Sequence, residues 1–88
     1  MQASYKKKLV QHLNRIEGQI GGIKKMVEAG RYCPDILTLS LAVENSLESF
    51  NAQLLENHLN EHVQHQFLRG QGKKAIRELI KIYQLANK

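Results

Sequence analysis

An all-α protomer of three helices with a long central one is what this chain of 88 residues predicts. Three observations carry that expectation. Apolar residues recur at alternating steps of four and three along most of the sequence. Outside the first of these stripes, the only helix-breaking signals are Gly30 with Pro34 and Gly70 with Gly72. No stretch shows the strict apolar–polar alternation of a strand.

The first stripe is Leu9, Leu13, Ile16, Ile20, Ile23 and Val27, which marks a helix over about residues 4–29. Ser4 is its candidate N-cap and Gly30 its candidate C-terminal stop. Gly18, Gly21 and Gly22 lie inside it, where each costs roughly 1 kcal/mol against alanine and leaves room for a close neighbour.

Pro34 suits the first position of a second helix, where a missing N–H does no harm. Ile36, Leu39, Val43, Leu47, Phe50 and Leu54 continue the period, and nothing interrupts the chain before Gly70. A helix over about 34–66 would run on the order of 50 Å at 1.5 Å per residue. That overhangs any core a monomer of this size could build, so it calls for a partner chain. The expected assembly is an antiparallel four-helix-bundle dimer. Ala75, Ile76, Leu79, Ile80, Tyr83 and Ala86 mark a third helix over about 73–86, and residues 1–88 read as a single domain.

Charge divides the chain more sharply than the net +5 conveys. Residues 1–31 hold seven Lys/Arg against two Glu, and residues 69–88 hold six against one. From Tyr32 to Leu68 there is no Lys or Arg, only Asp35, Glu44, Glu48, Glu56 and Glu61. Basic faces of this kind suit a polyanion such as DNA, and equally an ordinary solvated helix surface. A single cysteine excludes an internal disulfide framework and points to a reducing, cytoplasmic setting. No run approaches the ~20 apolar residues of a membrane span. No oriented nucleophile–base pair or acidic dyad is visible, so an enzyme is not expected.

Cys33, His58 and His62 are the residues with metal-binding chemistry, in the pattern C-x24-H-x3-H. Two histidines four apart on a helix project from one face, and an added thiolate selects soft or borderline ions. Twenty-five residues of helix hold Cys33 roughly 37 Å from His58, so a shared ion needs the cysteine of one subunit and the histidines of another. Antiparallel pairing of two central helices supplies that twice per dimer. By spacing alone, Cys33 reads as well as a structural cysteine, and the histidines, with His65 a turn on, as surface residues. Glu78 adds a further hint. His62 and Glu78 each lie eight residues from Gly70, so a hairpin there brings them level. Glu78 could then accept a hydrogen bond from a ligating imidazole. It reads equally as a surface residue between Lys74 and Lys81.

The stretch RIEGQIGGIKKMVEAGRYCPDIL, followed by LLENHLNEH, resembles the copper-sensitive operon repressors and their nickel/cobalt- and formaldehyde-sensing relatives. The likeness covers about residues 5–83. It implies a DNA-binding repressor that forms dimers and then tetramers, holds operator DNA when apo, and lets go when an intersubunit site fills. Carried over, Cys33 and His58 match the family's cysteine and first histidine. Tyr32 and Glu78 match residues that link a ligated histidine to helix three, and Arg15 matches a basic residue used for DNA. His62 stands where copper sensors place a second cysteine and where the nickel/cobalt branch has histidine. That branch also uses an N-terminal histidine, which Met-Gln-Ala-Ser-Tyr does not offer. Thiolate plus two imidazoles suits three-coordinate Cu(I) and also Zn(II); Ni(II) and Co(II) generally want more ligands. A formaldehyde sensor, with Cys33 as nucleophile, is the alternative, although the proline amine of that branch is missing here. A third reading is a metal-binding oligomer without DNA binding. Glu44 and Glu48 stand midway along helix two, where relatives are basic or neutral. The DNA contact is therefore expected from Arg15, Lys6, Lys7, Lys8, Lys24, Lys25 and Arg31.

Overall fold

A computed structural model describes all 88 residues, and every regular element in it is helical. The elements are α1 (Ala3–Glu28), α2 (Cys33–His58), a π-helical turn (Leu59–Val63), α3 (Gln64–Leu68) and α4 (Gly72–Ala86). The chain divides into two compact units, residues 1–54 and 55–88. No helix is long and apolar enough to cross a membrane.

In the first unit, α1 opens one residue before the expected cap. Gln2, with extended backbone and no side-chain hydrogen bond, is the N-cap instead of Ser4. The Lys6 N–H already bonds the Gln2 carbonyl at 2.9 Å, so Ser4 lies within the first turn. At the other end, the Gly30 N–H reaches the Val27 carbonyl at 3.1 Å and the Arg31 N–H reaches Met26 at 3.0 Å. Gly30 sits at φ +63°, so this is a Schellman closure, with glycine in the left-handed region one position beyond the Ala29 cap. The Tyr32 carbonyl accepts the N–H groups of Asp35 (3.0 Å) and Ile36 (3.4 Å). α2 therefore begins at Cys33, and Pro34 occupies its second position rather than its first, still within the turn that needs no N–H.

α1 and α2 run antiparallel. Tyr5 donates its phenol to the Gln53 carbonyl, His12 meets Ser46, Phe50 and Gln53, and Leu39 lies 3.8 Å from where Gly22 would carry a Cβ. Leu9, Ile16 and Val43 are buried between them. The stripe read from the sequence is split in two by this packing. The inward seam of α1 is Tyr5, Leu9, His12, Ile16, Gln19, Ile23 and Met26. Leu13, Ile20 and Val27, expected in the core, are exposed, Val27 by 60%. On α2, Leu47 and Leu54 are exposed in the same way, while Ser46 and Phe50 turn inward. A heptad offers two neighbouring apolar lines, and one partner helix covers only one of them.

In the second unit, the end of α2 passes through the π turn into α3 without leaving helical backbone. His58 lies at φ −61°, ψ −44° and Gln64 at φ −59°, ψ −44°. The central helix thus reaches Leu68 rather than about Gln66, with one loosened turn that was not foreseen. A second Schellman closure, at Gly70 (φ +74°), folds α4 back onto α3; its bonds are Gly70 N–H to Phe67 O (3.3 Å) and Gln71 N–H to Gln66 O (2.6 Å). Gly72 is the first residue of α4, not part of the loop. A Cβ there would stand 2.7 Å from the Phe67 ring, so any other residue would have to displace that half-exposed ring. Val63 and Ala75, the latter only 1% exposed, are the buried apolar residues of this unit.

Candidate metal centre and nucleic-acid face

His58 ends α2 and His62 lies in the π turn that follows. Their rings stand side by side, with centroids 5.3 Å apart and planes tilted by 34°. The two imidazoles line an open cavity of about 360 Å³ together with His65, Gln66, Arg69 and Gln71. His65 is thus part of the same wall, not an unrelated surface residue. Gln66 Oε1 is buried without a hydrogen-bond partner. A π turn lodges one surplus residue in a helix and recurs at functional sites. Here it carries His62, one of the three candidate ligands.

Cys33 is a free, exposed thiol at the first residue of α2, at the opposite end of that helix from His58. No three His, Cys, Asp or Glu side chains of one protomer converge into a metal-holding group. A paired imidazole donor and a separate accessible thiol are the donor types that a soft ion takes, and each is open at its own end of α2. Tyr32, 73% exposed, lies beside Cys33 and caps α2 through its carbonyl. Glu78 is half-buried on α4; no hydrogen bond joins it to either imidazole within one chain.

Arg15, Lys6, Lys7, Lys8, Lys24 and Lys25 are all exposed on α1, and Arg31 is exposed in the turn after it. Glu44 and Glu48 are exposed on α2 within the same unit. The basic side chains are therefore free to meet phosphate, and the acidic ones are displayed as well.

One residue of evident structural weight was not singled out in the sequence. His12 is buried to 7% exposure, with Nε2 3.1 Å from Ser46 Oγ and Nδ1 3.4 Å from Gln53 Oε1. The signal for it was present: His12 falls midway between Leu9 and Ile16 in the seam spacing.

Residues 5–84 match the model of a family described as metal-sensitive transcriptional repressor. The chain is 40% identical over 78 residues to the copper-sensing transcriptional repressor CsoR of Bacillus subtilis, covering 89% of this chain and 77% of that protein. It is 37% identical over 75 residues to the copper-sensing repressor CsoR of Mycobacterium tuberculosis strain H37Rv, covering 85% of this chain and 63% of the longer relative. Among solved structures, it is similar to the copper-sensing repressor CsoR with Cu(I) from Geobacillus thermodenitrificans. The TM-score is 0.96 at 36% identity, over 100% of this chain and 92% of that one. It is also similar to the nickel-responsive transcriptional regulator InrS, with a TM-score of 0.73 at 36% identity, over 85% of this chain and 84% of the other.

Proposed function

This chain belongs to the metal-sensitive transcriptional repressor family, and from that premise we propose that it is a Cu(I)-responsive repressor whose inducer site is shared between subunits. The observation that carries the reading is the placement of donors at the two ends of one helix, with His58 and His62 side by side at one and Cys33 open at the other. A chain cannot fold α2 back on itself, so Cys33 of one protomer is completed by the imidazoles of its partner. Exposed second lines of apolar residues, Leu13, Ile20 and Val27 on α1 and Leu47 and Leu54 on α2, support a homodimer or a dimer of dimers.

Operator DNA is held by the apo protein through Arg15, Lys6, Lys7, Lys8, Lys24, Lys25 and Arg31. One thiolate with two imidazoles suits Cu(I), accepts Zn(II), and leaves Ni(II) and Co(II) short of ligands. Tyr32 and Glu78 stand next to the ligands in sequence or hairpin register and relay occupancy to α4. The response is a coupling free energy between two sites, not catalysis. Such a protein works in the cytoplasm, beside its DNA.

Subunit mixing tests the shared site. Cys33→Ala chains combined with His58→Ala, His62→Ala chains should regain one of two Cu(I) sites per mixed dimer. No recovery in verified mixed dimers would sink the intersubunit arrangement.

A further inference from the structure

We propose that His12 is a positioning residue: its imidazole, held on both nitrogens by α2, fixes the rotation of α1 and so the presentation of Arg15 to phosphate. The inference rests on the reading of Arg15 as a DNA contact only in that last clause.

The buried seam of α1 is apolar at Leu9 and Ile16, with His12 between them. Gln53 Oε1 only accepts, so Nδ1 carries the proton toward it; in that neutral tautomer Nε2 accepts from the Ser46 hydroxyl. Phe50 closes the pocket with its ring edge-on to the imidazole, the centroids 6.0 Å apart and the planes at 86°. Ser46, Phe50 and Gln53 span two turns of α2, so one ring is fixed at two heights along its partner helix.

The closure at residues 29–32 holds one end of the hairpin, but apolar residues at heptad spacing leave the rotation of α1 weakly specified. Turning α1 so that Leu13 and Ile20 replace Leu9 and Ile16 keeps an apolar contact. The same rotation takes the imidazole away from Ser46 and Gln53. A buried polar residue with directional partners is therefore the element of the seam that selects a single alignment. At ~100° per residue, Arg15 flanks the seam on one side and Leu13 on the other. Any rotation of α1 carries Arg15 with it.

The experiment reads alignment and function separately. Spin labels at Asn14 and Asn45, in a Cys33→Ser background diluted with unlabelled protein, report the α1–α2 distance distribution by double electron–electron resonance. Operator binding is measured on unlabelled chains with Cys33 intact, using duplex DNA from the protein's own promoter region. His12→Leu should keep its unfolding midpoint, broaden or split the distance distribution, and bind the duplex at least ~10-fold more weakly. Ser46→Ala should move both readouts the same way, by less, and should add nothing in the His12→Leu background. Should His12→Leu fail to fold, Ser46→Ala decides alone. A distance distribution identical to wild type in the folded variant overturns the proposal, whatever happens to stability. If wild-type chain shows no DNA binding, the repressor reading fails, and the distances still settle the role of His12.

Discussion

The same substitution, glycine to alanine, should have opposite effects at Gly18 and Gly30. Nothing lies within 4 Å of a Cβ built at either position, so neither variant meets a steric clash within the chain. Gly18 has helical backbone in the interior of α1, where alanine is favoured by roughly 1 kcal/mol. Gly30 sits at φ +63°, where an L side chain costs about 1–2 kcal/mol. The two variants should therefore differ by about 2–3 kcal/mol, with Gly18→Ala above wild type and Gly30→Ala below it. Urea denaturation followed by far-ultraviolet circular dichroism measures this. Every variant must be run at one protomer concentration, because an oligomer's stability depends on it. Gly30→Asn separates backbone strain from other effects, since asparagine enters the left-handed region more readily. It should recover part of the loss. Finding Gly30→Ala as stable as wild type would refute the account of the turn. Its consequence reaches the proposed metal ligand Cys33, because this closure leads Arg31, Tyr32 and Cys33 into α2.

Further outcomes are expected elsewhere. Arg15→Ala should weaken operator binding and lower the log–log salt slope by about one, measured by anisotropy across a salt series; an unchanged slope removes Arg15 from the contact set. Cys33→Ala should abolish tight Cu(I) binding in competition with a Cu(I) chelator, and retention of full affinity would place the site elsewhere. Glu78→Ala should keep Cu(I) affinity within roughly 10–100-fold while release of DNA by the metal is lost. Ala75→Leu, at a position 1% exposed, should destabilise by about 1–3 kcal/mol through overpacking, and an unchanged denaturation midpoint would contradict the burial.

The helices and their ends were legible because their causes are local. Gly30 and Gly70 announce their closures, and the 3/4 spacing announces amphipathic helices whatever they pack against. Facing was less legible. Leu13 and Leu9 look alike in a heptad, and only the position of α2 decides which is covered. His12 escaped notice because a histidine in an apolar seam reads as an interruption until Ser46 and Gln53 are brought to it. The π turn left no mark at all, since Leu59-Asn60-Glu61-His62-Val63 contains no glycine, proline or other breaker. At the proposed metal centre, the positions of Cys33, His58 and His62 along the chain could be read directly. The closeness of the two rings and the inclusion of His65 in their cavity required coordinates.

The two Schellman closures also bear on how quickly the protein becomes functional. Each joins helices adjacent in sequence through only a few residues: α1 to α2 across residues 29–32, and α3 to α4 across residues 69–71. Contacts within each hairpin need only short loops to close, which keeps the entropic barrier low and places such topologies among the microsecond-to-millisecond folders. A newly made chain therefore forms its hairpins long before it meets another copy. For the intersubunit thiolate–imidazole site proposed above, assembly is then a bimolecular waiting time, set by how many chains the cell holds.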